Sequence, residues 1–101
     1  IMQLEKNRRG RELRVVLSGE LDHHNAAIIR EEVDRELDGS VKLLTLDMSG
    51  ITFMDSSGIG VVLGRYRRMS ESGGKLRMGG MSIYAEKILR MAGVLALLER
   101  K

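Results

Sequence analysis

The segment FMDSSGIGVVLGRY, residues 53–66, joins a predicted strand to a predicted helix. Its first two residues end an apolar segment, and Asp55, Ser56 and Ser57 then offer the short polar side chains favoured at a helix N-terminus. The segment therefore predicts a loop leading into a helix, with two serine hydroxyls near the positive end of the helix dipole. This position suits a covalent phosphate or a switchable contact with a partner. Apolar residues recur at helical spacing and predict a core-facing stripe of Ile59, Val62, Leu63, Tyr66 and Met69.

The opposite face of this predicted helix is poor in side chains. Counting about 3.6 residues per turn from Ser57, the residues on that face are Gly60, Val61, Gly64 and Arg68. A glycine within an exposed helix face costs about 1 kcal/mol relative to alanine. The two glycines either let a partner dock closely or relieve crowding against another part of the same chain, and the sequence leaves both explanations open.

Length and composition predict one small domain, residues 1–101. The chain has 101 residues, of which 43% are hydrophobic and 31% charged, which is enough for a single core. No apolar run approaches the roughly 20 residues of a membrane span, and no signal-peptide pattern is present, so no membrane association is expected. The absence of cysteine excludes disulfides and thiolate chemistry and fits a cytoplasmic location.

The positive charge of the chain raises the question of nucleic-acid binding. The formal net charge is +3, and arginines cluster at two places, namely Arg8, Arg9 and Arg11, and again Arg65, Arg67 and Arg68. Only three residues are aromatic, so no platform for stacking bases is evident, and acidic residues are interspersed among the basic ones. A solvated surface of mixed charge is therefore expected, with the first cluster in a polar hairpin turn at residues 7–11 and no nucleic-acid partner.

The order of the predicted elements is β-β-α-β-α-β-α-β. Helices are expected from Asp22 to about Leu37, from Ser57 to about Ser72, and from Ser82 to about Ala92. Strands that alternate with helices imply crossover connections and a mixed, mainly parallel sheet of four to five strands. The helices are too few for two layers and are expected on one face. The strands are predicted at residues 2–6, 13–18, 43–48, 76–78 and 94–98.

No set of residues predicts an enzyme or a metal site. His23 and His24 are the only histidines, and neighbouring residues on a helix point in different directions. Catalysis by either serine would need a base and an orienting acid, and the motif is not G-x-S-x-G. The glycines at the start of the central helix resemble a dinucleotide-binding fingerprint only weakly, because the chain has no second βα half to hold a dinucleotide. No cofactor is therefore expected. The glycines of this weak resemblance are Gly58, Gly60 and Gly64.

Two aspartates occupy equivalent places in the predicted fold. Asp22 and Asp55 each follow a strand and precede a helix. Because such loops gather at one edge of a parallel sheet, Asp22 is expected near Asp55 and Ser57. The alternative is that the two aspartates only cap their helices and have no other role.

Three motifs together resemble the STAS-domain anti-sigma factor antagonists, in particular those of the sporulation sigma-F system. They are GELDHH at residues 19–24, the central FMDSSGIGVVLGRY, and LRMAGV at residues 89–94. The resemblance runs over most of the chain, with all elements in the same order. It implies a single α/β STAS domain and phosphorylation of Ser57, the second serine of DSSG. The chain departs from the family in a more basic hairpin turn, and it stops soon after the last apolar run, so the usual C-terminal helix is either absent or lies outside the given residues.

The resemblance also implies a partner switch. The unphosphorylated domain binds an anti-sigma factor that is also a serine kinase, and thereby releases the sigma factor. The kinase, which carries the ATP or ADP, phosphorylates the serine, and a separate serine phosphatase resets the system. The domain is thus a substrate and a ligand, without catalytic residues. The expected partner-binding residues are Asp22, Asp55, Ser56, Ser57, Gly58, Gly60, Val61, Gly64 and Arg68.

Two other functions remain open from the sequence. One is a sensor domain of STAS type that binds a nucleotide or another small ligand, using the glycine-bearing helix start and the arginines. The other is a hydrolase that uses Ser57.

Overall fold

In the computed structural model, which describes residues 2–98, four strands form one sheet in the order β1-β2-β3-β4. The β1 and β2 strands are antiparallel, whereas β2 with β3 and β3 with β4 run parallel. The predicted mixed, mainly parallel sheet is therefore confirmed. The strands are β1 (Gln3–Arg9), β2 (Glu12–Leu21), β3 (Leu43–Met54) and β4 (Lys75–Met81).

Helices follow the three parallel strands. They are α1 (His23–Asp34), α2 (Ser57–Glu71), α3 (Ile83–Met91) and α4 (Val94–Leu98). Among residues 2–98, none of these helices combines the length and apolarity that crossing a bilayer requires.

The strand predicted at residues 94–98 is wrong, because this run forms α4. Gly93 adopts a positive φ of 78° after α3, and the amide of Leu97 donates to the carbonyl of Gly93 at 3.2 Å, which starts a new helical turn. Val94 and Leu95 are both buried, whereas adjacent residues of a strand point to opposite faces. A short, wholly apolar run does not separate strand from helix by its periodicity. The described chain therefore ends in a helix where none was expected.

All four strands are longer than the sequence predicted, and the extensions of β1 and β3 change the loops that follow them. The β1 strand continues through Arg9, and the hairpin turn is only Gly10 and Arg11, with Gly10 at a φ of 61°. The β3 strand continues to Met54 because its pairing with β2 survives two register shifts. A Cβ at Gly50 would lie 2.7 Å from the Cβ of Ser18, so only glycine permits this close approach.

The core lies between the helices and one face of the sheet. Alternate residues of β2 and β3 point toward it and are fully buried: Leu13, Val15, Leu17, Leu44, Leu46 and Met48. The helices contribute Ile29, Val33, Val62, Met69 and Leu89 to the same cluster. The other face of the sheet carries mainly polar residues, including Arg14, Asp47 and Arg77. The expectation that the helices cover one face is therefore confirmed.

Candidate functional site

The loops that carry Asp22 and Asp55 meet at the C-terminal edge of the sheet. Leu21, the last residue of β2, pairs with Met54, the last residue of β3. The amide of Asp55 donates to the carbonyl of Leu21 at 3.3 Å, which ties the two loops together. The structure thus brings the two aspartates side by side, each as the first residue after its strand.

Each aspartate uses one carboxylate oxygen on its own helix. Oδ1 of Asp22 accepts from the amide of Asn25 at 2.9 Å and caps α1. Oδ1 of Asp55 accepts from the amide of Ser57 at 2.8 Å. Within residues 2–98 neither carboxylate makes another side-chain hydrogen bond. Asp22 is therefore the N-cap of α1, whereas Asp55 holds the first amide of α2 from one residue before the N-cap, and each keeps a second oxygen for another partner.

The two serines lie at the start of α2. Ser56 occupies the N-cap position but its side chain makes no capping hydrogen bond, and Ser57 is the first helical residue. Neither hydroxyl is hydrogen-bonded within the described residues, so both are available next to the N–H groups of the first turn. Ser56 is exposed and Ser57 is half-buried. Accessibility alone therefore does not single out Ser57.

The buried face of α2 is rotated from the predicted stripe. Ile59, Leu63 and Tyr66 lie on its flank, partly buried against the core. The expectation that Val61 is exposed is wrong, since 0% of its surface is accessible. The reason is that α2 packs against α1 as well as against the sheet. Its buried face is therefore wider than the single apolar stripe that the sequence indicated. The buried residues are Gly58, Val61, Val62, Arg65 and Met69.

The glycines of α2 fall into two kinds. A Cβ added at Gly60 or Gly64 would meet no atom within 4 Å, so crowding inside the domain does not explain these two glycines. Gly58 is buried, and a Cβ there would lie 2.7 Å from Cγ of Met54. Gly58 is therefore required by packing, whereas Gly60 and Gly64 leave an open strip along the helix.

Sequence reasoning missed an ion pair that joins α2 to α1. Arg65 is only 6% exposed, and its Nε lies 2.9 Å from Oδ1 of Asp34, although this close pair is not aligned as a hydrogen bond. Its Nη2 donates to Oδ2 of Asp34 at 3.3 Å. Burial lowers the pKa of Arg65, and the charge of Asp34 opposes this effect. The sequence did contain a signal for the burial of Arg65. It lies three residues after Val62 and four before Met69, which places it on the same face of the helix as these apolar residues.

Arg68 strengthens the same junction. Its Nη2 donates to the carbonyl of Leu37 at 3.0 Å, and its Nη1 lies 3.7 Å from Oδ2 of Asp34. The side chain remains 44% exposed. Arg68 is thus partly engaged within the domain, rather than free on an open face as the helical spacing suggested.

The described residues offer no group of histidine, cysteine, aspartate and glutamate side chains suited to holding a metal ion. His23 and His24 are exposed on the first turn of α1. The features that stand out at this edge are therefore two adjacent carboxylates, two free hydroxyls and an open strip of helix.

Comparison with known proteins places this geometry in a family. The model of the STAS domain matches residues 3–100. The chain is 34% identical over 94 residues to the anti-sigma F factor antagonist of Paenibacillus polymyxa, a match that covers 92% of this chain and 80% of the relative.

Solved structures agree with the sequence matches. SpoIIAA, an anti-sigma factor antagonist, is similar in its unphosphorylated form at 32% identity and a TM-score of 0.79, covering 93% of this chain and 82% of SpoIIAA. The phosphorylated form of SpoIIAA, a Bacillus cell fate determinant, is 31% identical with a TM-score of 0.73, covering 95% and 86%. The chain therefore belongs to the STAS-domain family and, within it, to the anti-sigma factor antagonists, which are regulatory proteins and not enzymes.

Proposed function

We propose that this protein is a phosphorylation-controlled partner switch in the cytoplasm. The unphosphorylated form binds an anti-sigma factor that is also a serine kinase, so that the sigma factor is released. Phosphorylation of Ser57 ends the interaction, and a serine phosphatase restores it. The observation that carries the proposal is the placement of free serine hydroxyls at the start of a helix whose outer surface is an open glycine strip.

The surface proposed for the kinase is the docking face, which comprises Asp22, Asp55, Ser56, Ser57, Gly60 and Gly64. Its open glycines allow another backbone to approach α2 closely, because no side chain stands between them. The free carboxylate oxygens at the sheet edge supply acceptors for a cationic or N–H donor group of the partner. Gly58 and Val61 are excluded from the docking face by their burial, and Arg68 lies beside it.

Charge and bulk explain how one phosphate would separate the partners. A phosphoserine carries about −1.5 to −2 charges at neutral pH. At Ser57 this charge would stand at the same edge as Asp55 and Asp22, while the N-terminus of α2 compensates part of it within the domain. A partner packed against the docking face would bury the remaining charge without a counterion, which is costly. The partner therefore leaves while the domain stays folded.

Two lines of support bear on the phosphorylation itself. SpoIIAA, about a third identical to this chain, has been solved in an unphosphorylated and a phosphorylated form. The choice of Ser57 over Ser56 rests on the DSSG motif of the family. In the structure, the amide of Ser57 is also held by Asp55, so its position at the helix start is defined.

Phosphopeptide mapping tests the assignment. The chain is incubated with ATP and the anti-sigma F factor that the Paenibacillus polymyxa antagonist opposes, and the modified serine is located by mass spectrometry. We expect the phosphate on Ser57, no incorporation into Ser57→Ala, and unchanged incorporation into Ser56→Ala. A phosphate found mainly on Ser56 would contradict the assignment. Titration of the isolated domain with nucleotide in the same buffer separates this function from a nucleotide sensor.

A further inference from the structure

Positive charge gathers where the second half of α2 packs against the end of α1. Arg65 and Arg68 both approach Asp34, with Nε of Arg65 2.9 Å from Oδ1 and Nη1 of Arg68 3.7 Å from Oδ2. Arg30 lies one turn before Asp34, so the two side chains leave α1 on the same face. The pKa of Arg65 is lowered chiefly by burial and further by the charges of Arg30 and Arg68, so both of these guanidinium groups lie near it. The three arginines and Asp34 together form the basic junction.

The charges of the basic junction are not balanced within the domain. A guanidinium group stays charged at neutral pH, so three of them share the single carboxylate of Asp34. Among the described residues, Asp34 alone acts to raise the pKa of Arg65. Glu71 follows Arg68 by three residues but makes no ion pair within residues 2–98. The basic junction therefore carries an excess of positive charge.

Two of its guanidinium groups keep N–H donors free toward solvent. Arg30 is exposed and has no hydrogen bond or ion pair within the described part of the chain, residues 2–98. Arg68 donates through Nη2 to the carbonyl of Leu37, whereas its Nη1 is too far from Asp34 for a hydrogen bond. An anion that reached the basic junction would therefore meet unused donors on Arg30 and Arg68.

The basic junction lies at one end of the docking face. Arg68 follows Gly64 by four residues and so shares its face of α2. Ser57 begins the same helix eleven residues before Arg68, which corresponds to about 16 Å along the helix axis. Asp22 and Asp55 lie with Ser57 at the other end, and each keeps a free carboxylate oxygen. The docking face thus runs from an acidic end to the basic junction.

We propose that the basic junction binds an acidic side chain of the anti-sigma factor. This inference rests on the partner switch proposed above and adds a second contact for the same partner. The carboxylate accepts hydrogen bonds from Arg30 and Arg68, whose planar guanidinium groups match the geometry of a carboxylate. A partner with an acid at this place, and a cationic or N–H donor group opposite Asp22 and Asp55, complements both ends of the docking face.

The charge pattern favours a protein over a nucleic acid at this site. A nucleic acid carries negative charge along its whole length. A strand that contacted the basic junction and continued along the glycine strip would meet Asp22 and Asp55, which would repel it. A protein can present charges of both signs and so match both ends of the strip.

The variant Arg30→Glu tests the basic junction without disturbing the fold. Arg30 makes no hydrogen bond within residues 2–98, and the new carboxylate would lie near two other arginines, so the melting temperature is expected to stay close to that of the wild type. Arg9→Glu makes the same change of charge and is the matched control. Arg9 pairs with Glu12, the neighbour of the buried Leu13, and therefore points to the sheet face opposite the helices.

Calorimetric titration of the full chain with the ADP-loaded anti-sigma F factor measures binding at two salt concentrations. They are about 0.1 M and about 1 M, where the Debye length is about 10 Å and about 3 Å. At the lower salt, Arg30→Glu is expected to bind about tenfold more weakly than the wild type, because it sets like charges against each other. Arg9→Glu is expected to change the affinity less than about twofold. At the higher salt most of the loss in Arg30→Glu should disappear.

The outcomes separate this inference from the partner switch itself. Equal affinities of Arg30→Glu and the wild type would overturn the inference and leave the partner switch standing. Equal losses in Arg30→Glu and Arg9→Glu, or a loss that persists at the higher salt, would also overturn it, since the contact would then be diffuse or a matter of shape. A wild type that binds no anti-sigma factor would overturn both proposals. The same variants are titrated with a DNA duplex, and a loss of DNA binding in Arg30→Glu with unchanged binding of the anti-sigma factor would assign the basic junction to nucleic acid instead.

Discussion

The two halves of α2 contrast in how they meet the rest of the protein. The second half is held by Arg65 and Arg68, whose guanidinium groups contact Asp34 at the end of α1 and the carbonyl of Leu37 just after it. The first half carries Gly60 and Gly64, where an added Cβ would meet nothing, and two free serine hydroxyls. The anchored half fixes the direction of the helix. The outer side of the first half is therefore open at Gly60 and Gly64, while its inner side is buried at Gly58, Val61 and Val62.

The largest effect is expected at the open half, in binding. Ser57→Asp should weaken binding to the ADP-loaded anti-sigma F factor by about 4 kcal/mol, because an unpaired charge would be buried against the partner. Calorimetric titration measures the affinity. Ser57→Asn is the matched control, because asparagine has nearly the same shape as aspartate but no charge. Ser57→Ala should bind the partner but resist phosphorylation. Equal losses for Asp and Asn would show that shape, not charge, controls the contact.

The next largest effect is expected at the anchored half, in stability. Arg65→Met should lower the free energy of unfolding by about 3 kcal/mol, because Asp34 would keep only the distant Arg68. Urea denaturation measures the change. Combining Arg65→Met with Asp34→Leu should restore most of the stability, since no unpaired charge remains. A loss below about 1 kcal/mol in the single variant would show that the pair does not anchor α2.

An intermediate effect is expected at Gly64, and it tests the open strip directly. Gly64→Leu should leave the melting temperature unchanged or raise it, because leucine is the better helix former and its Cβ enters open space. The same variant should lose about 2 kcal/mol of binding through overlap with the partner. A thermal melt and a binding titration on one sample check both. Normal melting with normal binding would remove Gly64 from the docking face.

The smallest effect separates the buried glycine from its open neighbours. Gly58→Ala should destabilise the domain by about 1 kcal/mol, since overlap with Met54 outweighs the helix-forming advantage of alanine. Gly60→Ala makes the same change two residues away in open space and should stabilise the domain by up to about 1 kcal/mol. Thermal or urea unfolding compares the two. Equal shifts would contradict the assignment of Gly58 to packing.

The sequence predicted the order of the elements through α3, the start of α2 and the meeting of Asp22 with Asp55, because these depend on short motifs and the rules of parallel sheets. It did not predict α4, and instead predicted a strand there. It did not predict which way α2 faces. Val61 and Arg65 are buried on the side of α2 that faces α1, and a single apolar stripe does not show that the helix has this second packing neighbour. The sequence also did not predict that β3 extends to Met54. The register shifts in its pairing with β2 interrupt the alternation of buried and exposed residues that marks a strand.

The emptiness around Gly60 and Gly64 has an evolutionary consequence. Because a Cβ added at either position would meet no atom within 4 Å and neither has a positive φ, other side chains can be accommodated there without rearranging the core. Packing therefore constrains these two positions little, and within the docking face proposed above natural selection acts on them through recognition. A duplicated gene can acquire a different partner by drift along this strip while its interior stays the same.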